Sequence, residues 1–269
     1  MNRVEEPSTF GAQLMRLVEL RGIDVGALAR RTSVSQAEIT SVLKGDEPAP
    51  SLVRRLALAL DLHASDLFVV AGMQVPDDLA PLDPTAASAV GWLSWELTYL
   101  PRAAPDLHEL IRAMPQQPRP PGPPPSTPPY RRYPNGAGSL VLRLLHNRNL
   151  NWLGAAKYLF GIGRRDMLSA STIGMIGHGR KTLTPELLAG FAAFLDISPH
   201  DLHALTGIDL ASAGRPVHPD AAEVAALIWN ARRLTADQLR QLQDRARAMR
   251  HERADELEPH LRCGCPGHT

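Results

Sequence analysis

Apolar positions recur along the chain in steps of three and four, the spacing of one helical face. Phe10, Leu14, Leu17 and Val18 mark the first such face. Leu52, Val53, Leu56 and Leu60 mark another after Pro50, and Leu67 and Phe68 a short one before Gly72. Between them, Ile23 to Gly45 holds two brief stripes, Leu28 with Ala29, then Ile39, Val42 and Leu43. Asp24 is placed to cap the first of these helices. Ser35 is placed to cap the second, with Glu38 three residues on as in a capping box. Gly45 ends it where positive φ is expected. The pattern predicts five helices over 10–72, with Thr32, Ser33 and Val34 as a tight turn between the second and third.

The same pattern returns downstream. Leu52, Leu60-Asp61, Asp66-Leu67 and Gly72 recur 135 residues later as Leu187, Leu195-Asp196, Asp201-Leu202 and Gly207. Asp24 and Ala29 recur 127 residues later as Asn151 and Ala156. The mismatch in offset predicts an insertion in the turn around Gly161-Ile162-Gly163-Arg164-Arg165-Asp166. The counterpart of the third helix then runs from Ser169 to His178 with Ile173 and Ile176 inward. Gly174 and Gly177 lower its helix propensity. Thr184-Pro185-Glu186 and Ser198-Pro199 each combine a cap with a proline at the first helical position. A second unit is expected over 139–207.

The rest of the chain divides by composition. Residues 73–114 read as a helical extension, with one helix from Asp83-Pro84-Thr85 to Leu100 and another over Asp106 to Met114. Val90, Leu93, Leu97 and Leu100 form its stripe, and Trp92, Trp95 and Tyr99 read as core. Residues 115–138 read as a linker, since ten of the twenty residues from Pro115 to Pro134 are proline. Such a run adopts extended polyproline II and reaches about 60 Å. Residues 215–258 read as amphipathic helices. Val224, Leu227, Ile228 and Ala231 belong to one. Leu239, Leu242, Ala246 and Met249 form a narrow seam in the other. That seam suits a second copy of the chain, giving a homodimer through 220–258, or an intramolecular hairpin against the second unit. In 259–269, His260, Cys263, Cys265 and His268 could supply four zinc ligands. Cys-x-Cys is tighter than the usual spacing, so a flexible tail without metal is the expectation.

Composition sharpens the fold class. Aromatics are 5% and helix formers dominate, which predicts an all-α chain. The formal net charge of +1 provides no global basic field, and the first unit is neutral. The second carries an excess of cations, from Arg143, Arg148, Lys157, Arg164, Arg165, Arg180 and Lys181, and is expected to hold phosphate better. The opening MNRVEEPSTF lacks the apolar run of a signal peptide, and no stretch approaches the roughly 20 apolar residues of a membrane span. The only two cysteines lie near the end, so a disulfide framework is not expected and a cytoplasmic location is. No glycine-rich phosphate loop, Gly-x-Ser-x-Gly or His-Glu-x2-His occurs, which argues against an enzyme.

The stretch from Asp24 to Gly45, with its capped pair of helices, small Ala29 and inward Ile39 and Val42, resembles the helix-turn-helix of the lambda-repressor-like, or XRE, family. It departs where the family's turn glycine is Ser33, at about 1 kcal/mol if φ is positive, and where a frequent glutamine is Val25. The resemblance implies two five-helix units, each with its third helix in the major groove of double-stranded DNA. It implies DNA contacts from the outward Ser35, Gln36, Ala37, Thr40, Ser41 and Lys44, with Gln36, Thr40 and Ser41 reading bases. In the second unit it implies Ser169, Ser171, Thr172, Met175 and His178, with Arg180 and Lys181 on phosphate. The implied function is a sequence-specific, cytoplasmic transcriptional regulator, without cofactor. The competing reading is a protein-interaction module that binds a sigma factor or a toxin partner without reading DNA.

Overall fold

A computed structural model describes residues 9–120, 133–211 and 213–252. Residues 121–132 of the proline-rich stretch, with Arg131 and Arg132, lie outside the described residues, as does the tail bearing His260, Cys263, Cys265 and His268. The described residues are helical, with no strand among them.

Five helices come first: α1 (Phe10–Leu20), α2 (Val25–Thr32), α3 (Gln36–Leu43), α4 (Pro50–Ala59) and α5 (Ala64–Val70). The extension forms α6 (Ala87–Tyr99) and α7 (Ala104–Ala113), each entered through a 3-10 turn. Five more follow: α8 (Ala137–Asn147), α9 (Trp152–Gly161), α10 (Ala170–Gly177), α11 (Pro185–Leu195) and α12 (Pro199–Thr206). The chain closes with α13 (Ala221–Ala231) and α14 (Ala236–Glu252).

The capping residues behave as their chemistry dictates. Asp24 accepts from Ala27 N–H at 2.7 Å, and Ser35 from Glu38 N–H at 3.1 Å. Asn151 and Ser169 do the same for α9 and α10. Ser33 ends α2 at φ 53 and ψ 43, the left-handed conformation that glycine adopts without strain.

The second set repeats the first in its closest contacts. A Cβ on Gly11 of α1 would lie 2.5 Å from the Val42 carbonyl of α3. A Cβ on Gly138, the counterpart in α8, would lie 2.3 Å from the Ile176 carbonyl of α10. Both crossings therefore require glycine. Gly174 and Gly177, which weaken α10 as a helix, have a packing reason. A Cβ there would come within 2.7 Å of the Trp152 ring and of Leu142 respectively. The insertion falls between α9 and α10, where Arg165 is buried and donates to the Glu186 and Arg215 carbonyls.

The two sets touch directly. α1 packs on α12 and α5 on α8. Arg21, at the end of α1, pairs with Asp201 of α12 at 2.8 Å and donates to the Leu60 carbonyl of its own set. Arg148, its counterpart after α8, pairs with Asp66 of α5 at 2.7 Å and donates to the Leu195 carbonyl of its own set. Residue i of one set meets j of the other, and the counterpart of j meets the counterpart of i. That reciprocity defines an isologous contact, here within one polypeptide. Since the sets pack face to face, the reach of the proline-rich stretch does not set their separation.

The two halves of this contact are unequally covered. Arg148 and Asp66 are 0% and 5% exposed at their side chains, against 25% and 9% for Arg21 and Asp201. α13 makes the difference. Its Trp229 stacks on His63 with centroids 3.5 Å apart and lies 5.1 Å from the Arg148 guanidinium. Arg232, just beyond α13, donates to Asn147 Oδ1 at 2.8 Å and to the Leu79 carbonyl at 2.6 Å. Burial pulls its pKa down to about 10.

Two expectations are corrected here. The seam Leu239, Leu242, Ala246 and Met249 is buried within the chain, where α14 packs chiefly on α6 and α7. A homodimer through 220–258 would have to use another face of α14. Of the aromatic stripe of α6, Trp92 is not core: it is 51% exposed, and Lys157 of α9 sits 4.0 Å over its ring, while Trp95 and Tyr99 are half-buried. The core of α6 is Val90, Leu93, Leu97 and Leu100, one helical face away.

Candidate functional site

The outward side of α3 stays open. Ser35, Gln36, Ala37 and Lys44 are exposed, and Thr40 and Ser41 are half-buried. The core stripe Ile39 and Val42 turns the other way and is buried. A Cβ on Gly26 would lie 2.8 Å from Gln36 Nε2, so the glutamine amide lies across the first turn of α2. Ser41 donates its hydroxyl to Asp46, which sets one carboxylate beside this face. Arg30, Arg31 and Lys44 are exposed, and their side chains make no hydrogen bond or ion pair among the described residues. Short polar side chains with cations at the margin can approach base edges and phosphates.

The counterpart side of α10 is also open, with different chemistry. Ser169, Ser171, Met175 and His178 are exposed and Thr172 is half-buried. The hydroxyls of Ser169, Ser171 and Thr172 form a cluster, at 2.8 Å and 3.0 Å from Ser169 Oγ. Arg180 and Lys181 are exposed on a turn whose amides both donate to the Met175 carbonyl. Where α3 carries Gln36, Thr40, Ser41 and Lys44, α10 carries Ala170, Gly174, Met175 and His178. Leu153 and Met167 add apolar surface nearby, at 49% and 50% exposure.

The cationic excess of the second set is partly spent inside. Arg148, Lys157 and Arg165 are buried. Desolvation lowers the Lys157 pKa, while the nearby Glu96 carboxylate opposes that shift. Arg143 is likewise lowered by burial. The surface cations on this side are Arg180 and Lys181, so the sequence count overstates what phosphate would meet. α6 also lies along α9, and a Cβ on Gly91 would come 3.2 Å from Asn151 Oδ1 at the start of that helix. At the matching start of α2, Asp24 is exposed.

One feature carried no periodic signal in sequence. Tyr133, His146, Asn151, Trp152, Leu153 and His178 line an open pocket of about 470 Å³ at the end of α10. Tyr133 accepts from Trp152 Nε1 at 2.8 Å, leaving its own proton for His146 Nε2 at 2.8 Å. Trp152 stands where the first set has Val25, and Tyr133 lies at the end of the proline-rich run, just before Pro134.

No cluster of three or more potential metal ligands occurs among the described residues. No described helix is long and apolar enough to cross a membrane. Comparison with protein-family models, curated proteins and solved structures gives no match for this chain.

Proposed function

We propose that the chain is a sequence-specific, double-stranded DNA-binding regulator of the lambda-repressor-like kind, acting in the cytoplasm and needing no cofactor. The observation that carries this reading is the openness of two equivalent helix faces. Each follows a serine cap on a short helix whose opposite side is core. Each is flanked by cations with no partner among the described residues: Lys44 beside one, Arg180 and Lys181 beside the other. Gln36 suits adenine, to whose edge an amide both donates and accepts. Arg and Lys groups hold phosphates and fix register.

A gel-shift series with genomic fragments over rising salt tests the reading. A DNA binder loses affinity linearly on a log–log plot as counterions are released. A flat profile, or equal affinity for all fragments, overturns it.

A second reading rests on the exposed Leu153, Met167 and Met175. Large exposed apolar side chains are available for protein contacts where they adjoin, and under this reading the second set binds a protein partner instead of a groove. DNA affinity that is indifferent to Met175→Ala and Arg180→Ala, together with retained Gln36 dependence, would favour it.

A further inference from the structure

We infer that one chain, unpaired with any second copy, engages a two-part duplex site with inverted and unequal half-sites. The inference rests on the DNA-binding reading above and adds to it the stoichiometry and the form of the operator.

The argument starts from the reciprocal arginines. Arg21 reaches Asp201 and the Leu60 carbonyl, while Arg148 reaches Asp66 and the Leu195 carbonyl. With α1 on α12 and α5 on α8, the operation that exchanges the two sets approximates a two-fold rotation. The same rotation exchanges α3 with α10. A two-fold preserves the component of any direction along its axis, so the two open faces lean toward the same end of that axis by the same amount. A protein two-fold is mirrored by an inverted repeat in its operator, with half-site centres about 10–10.5 base pairs apart, or a multiple of that. The contact that would otherwise join two chains is satisfied within one.

The half-sites differ because the faces differ. Gln36 and Thr40 read one through hydrogen bonds. In the other, Met175 stands at the Ser41 position and offers apolar contact to a thymine methyl. Spacing is strict, because buried side chains and not a tether fix the relation between the sets.

Selection of bound duplexes from a random pool with the full chain tests this, followed by sedimentation of the complex. The expected result is two inverted, non-identical half-sites and one chain per duplex. Inserting half a helical turn, about 5 base pairs, then lowers affinity by about a hundredfold, the loss of linked binding. Gln36→Ala relaxes preference in one half-site only, and Met175→Ala in the other only. A single enriched half-site, a direct repeat, two chains per duplex, or indifference to the insertion overturns the inference while leaving DNA binding intact. Absence of any enriched sequence overturns the DNA reading itself.

Discussion

Arg148 and Asp66 meet at 2.7 Å with neither side chain more than 5% exposed, so removing one leaves the charge of the other buried. Removing one member of such a pair typically costs about 3–5 kcal/mol, whereas replacing both by apolar groups is far milder. Arg148→Met should therefore lower unfolding stability by roughly that amount. Arg148→Met with Asp66→Leu should recover much of the loss. Arg21→Met, in the more exposed counterpart, should cost markedly less. Urea midpoints of the four proteins check this, and equal losses for the two single arginine variants would contradict it.

Asp196 accepts from His63 at 3.0 Å, which holds its carboxyl below the ordinary 3.8, with the Arg148 charge adding to the effect. A depressed folded pKa contributes stability in full above the unfolded value. That contribution drains away as pH falls through the folded one. The expected outcome is an acid limb that Asp196→Asn makes shallower, measured as unfolding free energy from about pH 7 to about pH 3. Asparagine tolerates the left-handed backbone at this position, φ 52, so the substitution tests the charge.

Ser33 adopts φ 53 with an exposed side chain. Ser33→Gly removes the left-handed strain and loosens the unfolded chain, for a net gain of about 0.5–1 kcal/mol. Thermal melts should show the rise. A fall would mean that the serine hydroxyl holds the turn by a bond worth more than the strain.

Leu242 is fully buried in the contact of α14 with α6 and α7. Leu242→Ala should cost about 2–5 kcal/mol through lost burial and the cavity left behind. The sedimentation mass should stay unchanged. A variant of native stability but altered mass would return the seam to a role between chains.

Gly26→Ala puts a methyl 2.8 Å from Gln36 Nε2. The amide end of a long side chain can move, so the fold should survive while Gln36 is redirected. The expected outcome is a relaxed preference at one base pair, resembling the roughly 1–3 kcal/mol of Gln36→Ala. Affinity for random duplex should not change, and titrations on matched and random DNA separate the two effects.

The helices were legible because each advertises itself locally. Asp24, Ser35, Asn151 and Ser169 cap as their side chains dictate. Ile39, Val42, Ile173 and Ile176 are buried as their spacing predicts. What the chain does at long range was not legible. Arg148 looked like a phosphate ligand because charge alone does not reveal that Asp66, more than eighty residues away, neutralises it in the core. The seam of α14 announced that a helix packs there without naming which, since any apolar groove satisfies it. Trp92 was misassigned because α6 is apolar over more of its circumference than its core needs, and a cation covers the excess. The outward residues of α3 and α10 are exposed or half-buried, yet the aromatic pocket beside α10 draws on three separated segments and shows in none of them.

The two halves of the reciprocal arginine contact lie on one polypeptide. Their association is therefore unimolecular, and dilution that would dissociate an ordinary symmetric pair leaves this one assembled. On the one-chain reading proposed above, occupancy of a duplex would rise with the first power of the amount of chain present, a graded response where two free subunits would give a threshold.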